Sequence, residues 1–226
     1  MAKDKSLKAP ADGNTPKPAV TQKRTYRDPR LFQEWLPWVQ KPFKRILGLD
    51  LGTNCGMAFC DFIPGQPIKA PQIIGGMWDL SLGPYDSGPL RHIRLKQFLA
   101  ITQPDLLMYE EVKYDPPADL IQNKNMGAGA IVARVATAAE FLGGLKVTVS
   151  TWCEEQNIPA HGLAIAQIKK FATNKGNAGK PDMINACNAK FGTHLDPVDY
   201  AKNGDDNIAD AIFVCSMGLD LYSEGL

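Results

Sequence analysis

From residue 45 onward, apolar segments of strand and helix length alternate with short polar or glycine-containing breaks. Short apolar runs bounded by turn residues are typical of buried strands, whereas apolar residues every three or four positions indicate a helix. The first half of this region therefore predicts four strands and one helix. The strands are RILGLDLG, CGMAFCDF, IIGGMWDLSL and DLLMYEEV, and the helix, which lies before the last of them, is LRHIRLKQFLAIT.

The second half of the chain has mainly helical patterns. The Ala-rich stretch from Met126 to Asn157 predicts two consecutive helices, because Gly143 and Gly144 interrupt it. One short strand and three helices follow, in the segments IPAHGL, AQIKKFAT, PDMINACNAKFG and DDNIADAIFVCSMGLDLYS. Strands first, then helices alternating with strands, predict an α/β fold in which helices cover both faces of a mixed β-sheet.

The first 44 residues differ from the rest of the chain in composition. Residues 1–30 contain few large apolar side chains and are expected to be disordered. The aromatic residues in 31–43 favour docking, either on the body, on a partner or on bases. We therefore divide the chain into a basic, Pro-rich arm (1–44) and a single domain (45–226). Residues 1–45 carry a net charge of +7 and the remainder −6. A polyanionic partner and a merely solvated tail both explain this asymmetry.

Composition excludes several classes of protein. The 226 residues include no run of about 18 apolar residues, which a membrane-spanning helix needs. The N-terminal segment lacks the apolar core of a secretory signal. The five cysteines form no CxxC pair, which favours reduced thiols over a zinc site. We therefore expect a cytoplasmic protein with no membrane partner.

Carboxylates occupy several positions where a charge is unfavourable. Asp50 interrupts an otherwise apolar strand, Glu110 ends another, and Asp206 and Asp210 lie on one face near the start of the last apolar helix. Asp205 is explained more simply as a helix N-cap. A buried carboxylate must be paired, hydrogen-bonded or bound to metal. If the two strands are neighbours, Asp50 and Glu110 converge, and an oxygen-only site of this kind suits Mg²⁺ or Mn²⁺ in phosphodiester cleavage.

These segments, in this order, resemble the RuvC-type Holliday-junction resolvases of the ribonuclease H-like nuclease superfamily, in a phage-like form. The match runs across most of Ile46–Val214. The segment ILGLDLGTNCGMA resembles the opening strand of the family, with Asp50 as the first carboxylate. The segment PLRHIRLKQFLAITQPDLLMYEEV resembles the part of the family that carries the second carboxylate, here Glu110. DDNIADAIFV resembles the closing helix, with Asp210 as the last acid. Many members carry the last two acids three residues apart, where this chain has Asn207. Asp206 is therefore our substitute ligand, and Asn207 is a neutral alternative.

The resemblance implies a ribonuclease H-like fold and a homodimer that resolves four-way DNA junctions by paired nicking. The catalytic and metal-binding set would be Asp50, Glu110, Asp206 and Asp210, holding two Mg²⁺ ions that Mn²⁺ can replace. The products would carry 5′-phosphate and 3′-hydroxyl ends. The segment IKKFATNKGNAGKPDMINA resembles the lysine loop of the family, and we expect four of its side chains to bind DNA: Lys169, Lys170, Lys175 and Lys180. The setting would be the cytoplasm of a bacterial cell or a phage-infected host.

Other functions fit part of the same pattern. A nuclease for flaps or replication forks would share the carboxylates, and Asn207 also fits a DNA-binding protein with a degraded site. DLGTNCG resembles the first phosphate loop of the actin-like ATPases as well. Those proteins need two such domains and a later D-x-G-G loop, which this chain lacks, so we expect no nucleotide cofactor.

Overall fold

The centre of the sheet is an antiparallel meander of three apolar segments that are consecutive in the sequence. Two parallel strands extend the meander on one side. A computed structural model of the protein describes residues 25–36, 43–64, 72–111 and 128–223. Within these ranges one sheet has the strand order β1-β4-β3-β2-β5-β6. Its strands are β1 (Thr25–Tyr26), β2 (Lys44–Asp50), β3 (Asn54–Phe62), β4 (Ile73–Asp79), β5 (Leu106–Glu111) and β6 (Ala160–Ala164).

The strand directions make the sheet mixed. Strand β3 is antiparallel to both β2 and β4, whereas β5 is parallel to β2 and to β6. The short strand β1 adds to β4 in parallel. Strands β2, β4 and β5 consequently end at the same edge of the sheet, and this edge carries the chemistry described below.

Helices cover both faces of the sheet. The described helices are α1 (Pro29–Trp35), α2 (Leu90–Thr102), α3 (Ala128–Gln156), α4 (Ile165–Thr173), α5 (Lys180–Phe191), α6 (Tyr200–Asn203) and α7 (Asp205–Ser223). Because side chains alternate along a strand, Ile46 packs into one core with α5 and α7, and Leu47 and Leu49 pack into the other with α2 and α3. The predicted fold class, an α/β mixed sheet with helices on both faces, is confirmed.

Helix α3 differs from the sequence prediction, because it is one continuous helix of 29 residues. Two glycines in a helix cost about 2 kcal/mol relative to alanine. Directly after them, Leu145, Val149 and Trp152 are buried against the sheet at helical spacing. Burial of side chains of this size contributes about 1.5–3 kcal/mol each, which outweighs the glycine penalty. The predicted division into two helices is therefore wrong.

The N-terminal segment 25–36 lies on the body. Phe32 of α1 is fully buried, and its ring packs edge-to-face on Trp78 and Phe98 at centroid distances of 5.7 Å. The docking expected for the aromatic stretch thus holds for Phe32, whereas the disorder expected for residues 25–30 is wrong. Residues 1–24 and 37–42 lie outside the described residues, so the arm itself stays a prediction.

Two further expectations concern the whole chain. In the described ranges, no helix combines the length and apolarity needed to cross a membrane. All five cysteines are free and buried: Cys55, Cys60, Cys153, Cys187 and Cys215.

Gly56 permits a close approach between the sheet and α7. A Cβ atom built on Gly56 would overlap the backbone carbonyl of Asn207, which cannot withdraw without moving the helix. We expect Gly56→Ala to lower the free energy of unfolding by about 1–3 kcal/mol, the usual effect of overpacking. Urea denaturation measures this, with Gly88→Ala as the control because a Cβ there meets nothing within 4 Å. Equal stability of the two variants would show that α7 is not held at this contact.

Candidate active site

Two carboxylates lie side by side at the shared edge of β2 and β5. The parallel register sets Leu49 opposite Tyr109, so the next pair along the strands is Asp50 and Glu110. Leu49 and Tyr109 point into the core beneath α2 and α3. Since side chains alternate, Asp50 and Glu110 face the side of α7. The convergence expected from the sequence is confirmed.

Glu111 belongs to a different environment from its neighbour Glu110. Its carboxylate accepts a hydrogen bond from the Lys146 ammonium of α3, at 2.8 Å. The two consecutive glutamates of the strand therefore have different partners: Glu111 pairs with Lys146, and Glu110 interacts with Asp50 and Asp210.

Helix α7 brings two more acids to the same edge. It follows Gly204, whose left-handed backbone (φ 68°) ends α6 and turns the chain into α7. The helix then lies directly on β2, where Gly48 leaves room: a Cβ there would come within 2.7 Å of the Ala211 carbonyl. This close packing holds Asp206 and Asp210, in the first turns of α7, beside the strand carboxylates.

The pKa values show that these acids act on one another. Burial raises the pKa of the Asp50 carboxyl well above its usual value, and the charges of Glu110, Asp210 and Asp206 raise it further. Burial, followed by the charges of Glu110 and Asp206, raises the pKa of Asp210 to about 7. Burial also raises the pKa of Glu110. The four acids form one electrostatic cluster that favours a bound cation or a retained proton.

Lys180, the first residue of α5, supplies a positive charge to this cluster. Its ammonium donates a hydrogen bond to the Asp206 carboxylate, which is 7% exposed, whereas the Lys180 side chain is 57% exposed. Burial alone would lower the pKa of Lys180, but the hydrogen bond to Asp206 and the neighbouring negative charges raise it above its ordinary value. The two residues are 26 positions apart, and no sequence pattern indicated that they pair.

The four lysines expected to bind DNA divide into two pairs. The pKa values of Glu110 and Asp210 are raised by burial, and the positive charges of Lys169 and Lys180 offset part of this rise. Both ammonium groups are therefore close enough to act on the acidic cluster. Lys170 and Lys175 are exposed, on α4 and in the turn after it. Lys180 is also largely exposed but is hydrogen-bonded to Asp206, and DNA binding by all four lysines stays a prediction.

Asp205 and Asn207 form hydrogen bonds with backbone groups around the site. The buried Asp205 carboxylate accepts a hydrogen bond from the Asp196 amide at 3.0 Å and fixes the preceding loop. The Asn207 side chain donates to the Asn54 carbonyl at 2.8 Å, which ties α7 to the start of β3. Asp206 lies in the acidic cluster, whereas the Asn207 amide nitrogen is engaged elsewhere. Asp206 as the third ligand stays a prediction that this arrangement favours.

The donor chemistry of the cluster suits a hard divalent cation. Carboxylate oxygens with no histidine or cysteine among them are the ligands that Mg²⁺ and Mn²⁺ prefer. Across the described residues, no three His, Cys, Asp or Glu side chains converge closely enough to form a ready-made metal site. The charges of Glu110 and Asp210 act on Asp50, and the charge of Glu110 acts on Asp210. The residues present therefore fit Mg²⁺ by their chemistry and their common edge.

Comparisons with known proteins give a likeness only among solved structures. No protein-family model matches the chain, and no curated protein matches it. The structure of Thermus thermophilus RuvC is 18% identical, with a TM-score of 0.47, covering 77% of this chain and 96% of that one. T. thermophilus RuvC in complex with a Holliday junction substrate is 17% identical, with the same TM-score and coverage. A likeness at this level assigns no activity, which must be inferred from the site.

Proposed function

We propose that this protein is a Mg²⁺-dependent endodeoxyribonuclease that nicks branched DNA and resolves four-way junctions. One observation carries the proposal: Asp50 and Glu110, from neighbouring parallel strands, interact with Asp206 and Asp210 at a single sheet edge. A cluster of oxygen ligands that repel one another is stabilised when divalent cations neutralise it. Two ions held by these acids would supply the activation of a water and the stabilisation of the leaving oxygen that phosphodiester cleavage requires, and the expected products carry 5′-phosphate and 3′-hydroxyl ends.

The other charges of the site suit a polyanionic substrate. Asp50, Glu110, Asp206 and Asp210 would hold Mg²⁺, or Mn²⁺ in its place. Lys169 lies close enough to Glu110 and Asp210 for its charge to act on both, and it would offer a positive charge to a phosphate that approaches the cluster. The exposed side chains of Lys170 and Lys175 extend this positive surface, where contacts to phosphates position a strand without reading its sequence. The DNA of a bacterial cell or phage-infected host lies in the cytoplasm, where we expect the protein to act.

Paired nicking requires two sites, and α3 offers a surface for a homodimer. Five residues form an exposed apolar stripe along one side of the helix: Val132, Ala136, Ala139, Gly143 and Val147. Val132 is 66% and Val147 is 61% exposed. In an antiparallel pair of helices the stripe is self-complementary, with Val132 facing the partner's Val147 and Ala136 facing the partner's Gly143. A two-fold symmetric interface requires such a match.

Charging this stripe should disrupt the dimer. We expect Val132→Glu and Val147→Glu to convert a dimer into monomers at micromolar concentration, because each would bury two unpaired carboxylates, one from each protomer, in the apolar interface. Analytical ultracentrifugation measures the change. Thr137→Glu is the control, since this exposed residue lies about 120° around the helix from the stripe. If the wild-type protein is monomeric, or if both variants remain dimeric, α3 is not the dimer interface.

Substrate choice tests the proposed function. The purified protein is incubated with labelled four-way junctions, flaps and plain duplex of equal length, with Mg²⁺ or with EDTA. We expect symmetrically paired nicks in the junction, slower cutting of duplex and no cutting with EDTA. Cutting confined to flaps would support the flap nuclease instead. Binding without any cutting would indicate a DNA-binding protein, and equal cutting of duplex would contradict junction selectivity.

A further inference from the structure

Lys146 joins the long helix α3 to the last residue of β5. Its ammonium donates a hydrogen bond to the Glu111 carboxylate at 2.8 Å, and the two side chains are 40% and 41% exposed. Glu111 directly follows Glu110, which acts on the other acids of the cluster. The ion pair therefore holds the strand one residue beyond a proposed metal ligand.

The end of β5 has fewer strand partners than its middle. The register of β5 with β2 ends at Tyr109, whereas its register with β6 continues to Glu111. Among the described strands, Glu110 and Glu111 therefore pair on one side only, and β6 is the outermost strand on that side. Backbone with fewer ladder hydrogen bonds opens more easily, so side-chain contacts count for more at this strand end.

The ion pair lies on the opposite face of the sheet from the acidic cluster. Tyr109 and Glu111 face α3, where they lie over Gly162 of β6: a Cβ there would come within 3.2 Å of the Tyr109 ring and 3.3 Å of the Glu111 Cβ. Because side chains alternate along a strand, Glu110 faces α7. Holding Glu111 against α3 therefore also fixes the rotation of the strand that directs Glu110 towards the cluster.

The part of α3 that carries Lys146 is itself anchored. Leu145 and Val149 are fully buried against the sheet. The hydroxyl oxygen of Thr148 lies 2.8 Å from the Nδ1 atom of His92 on α2. Lys146 consequently reaches the strand from a backbone whose position is fixed by packing on two elements.

We propose that Lys146 is a positioning residue for Glu110, a role that rests on the proposed function. By holding Glu111 on the face of α3, Lys146 keeps the Glu110 carboxylate directed towards the acidic cluster on the other face. Residues that orient a metal ligand without touching the metal change the affinity for the ion and the rate of the reaction. Lys146 should therefore act on both, and leave the affinity for DNA unchanged.

A second ion pair of α3 provides a matched control. Lys96 of α2 and Glu155 of α3 lie 3.5 Å apart, and their side chains are 43% and 51% exposed. Their exposure resembles that of Lys146 and Glu111, but neither is adjacent in sequence to an acid of the cluster. Exposed pairs of this kind contribute little by themselves. The control therefore separates an ordinary surface ion pair from one that positions a metal ligand.

Two measurements on the full chain test the role. Electron paramagnetic resonance measures the affinity for Mn²⁺ in the presence of an uncleavable four-way junction, and single-turnover nicking with Mg²⁺ measures the rate. We expect Lys146→Met to weaken Mn²⁺ binding and to lower the rate, each about 3- to 10-fold, with no change in the junction concentration that gives half the maximal rate. Glu111→Met should have the same effects, because it breaks the same contact. Lys146→Arg should stay close to the wild type, and Lys96→Met should change neither readout.

The two Met variants change the charge near the cluster in opposite directions. Loss of the positive charge of Lys146 would by itself strengthen the binding of a cation, whereas loss of the negative charge of Glu111 would weaken it. Weaker Mn²⁺ binding in both variants therefore indicates a lost position and not a changed charge. The double variant should be no worse than either single variant, since all three lack one and the same contact.

Wild-type Mn²⁺ affinity and rate in Lys146→Met would overturn the positioning role. A higher half-maximal junction concentration in Lys146→Met, with Glu111→Met unaffected, would overturn it as well, since it would assign Lys146 to a DNA phosphate. Equal losses in Lys96→Met would also overturn it, because they would show a general effect of the ion pairs of α3. These results leave the proposed function intact if the wild-type protein nicks junctions. If the wild-type protein neither binds Mn²⁺ nor cuts branched DNA, the proposed function fails, and the role of Lys146 fails with it.

Discussion

Asp50→Asn and Glu110→Gln should each reduce the rate of junction nicking about a thousandfold or more. Losing a metal ligand removes several kcal/mol of transition-state stabilisation, and each 1.4 kcal/mol is a factor of ten in rate. Asp50 is the stricter test, because all three other acids of the cluster act on its charge. The substitutions keep the shape of each side chain and remove only its ability to carry a negative charge.

Single-turnover nicking of a labelled four-way junction at saturating Mg²⁺ measures this effect. Asp199→Asn is the matched control, since its carboxylate is 55% exposed and pairs with an exposed lysine, Lys202, outside the cluster. We expect wild-type rates for the control and circular dichroism spectra like that of the wild type for all three variants. A folded Asp50→Asn or Glu110→Gln enzyme that retains its rate would show that the cluster does not catalyse the reaction.

Asp210→Asn should inactivate the enzyme and stabilise its metal-free form. The pKa of Asp210 is about 7 in the folded protein against an ordinary value of 3.8. The folded state therefore holds a proton that the unfolded chain releases between these pH values, and stability falls as pH rises through this window. A difference of about three pKa units corresponds to at most about 4 kcal/mol. Partial solvent access and coupling reduce the expected gain at pH 8 to about 2 kcal/mol.

Urea denaturation in EDTA at pH 5, 6, 7 and 8 tests this prediction. The stability advantage of Asp210→Asn over the wild type should already be somewhat more than a third of its full size at pH 5 and reach its full size near pH 8, because it grows between the ordinary pKa of 3.8 and the folded-state pKa of about 7. Added Mg²⁺ should stabilise the wild type more than the variant. A variant that is less stable than the wild type at pH 8, or an advantage independent of pH, would contradict the repulsion within the cluster.

The sheet and two site residues were predictable because local sequence patterns determine them. Asp50 and Glu110 each interrupt or end an apolar strand, whereas the adjacency of these two strands was only a condition in the sequence argument, and the structure meets it. The continuity of α3 was not predictable from propensity, since burial of Leu145 and Val149 outweighs the glycines. The place of Phe32 likewise depends on rings of β4 and α2, which are distant in sequence.

The partners of the four lysines were the part of the site that the sequence predicted least. In the sequence, nothing separates the expected roles of Lys169 and Lys170, in a predicted helix, from those of Lys175 and Lys180, in and after the glycine-containing loop that follows. Helix geometry and the position of α7 direct Lys169 and Lys180 towards the acids, and leave the other two in solvent. Only the tertiary structure pairs Lys180 with Asp206. The domain boundary at residue 44 and the role of the arm stay predictions.

Binding of Mn²⁺ tests the central claim most directly, because this ion accepts the same oxygen ligands as Mg²⁺ and is visible by electron paramagnetic resonance. The protein is titrated in the presence of an uncleavable four-way junction. We predict up to two bound ions per chain in the wild type and in Asp199→Asn. Affinity should be at least about tenfold weaker in Asp50→Asn and in Asp210→Asn. A wild-type protein that binds no Mn²⁺, or an Asp50→Asn variant that binds it as tightly as the wild type, would contradict a metal site at this edge of the sheet.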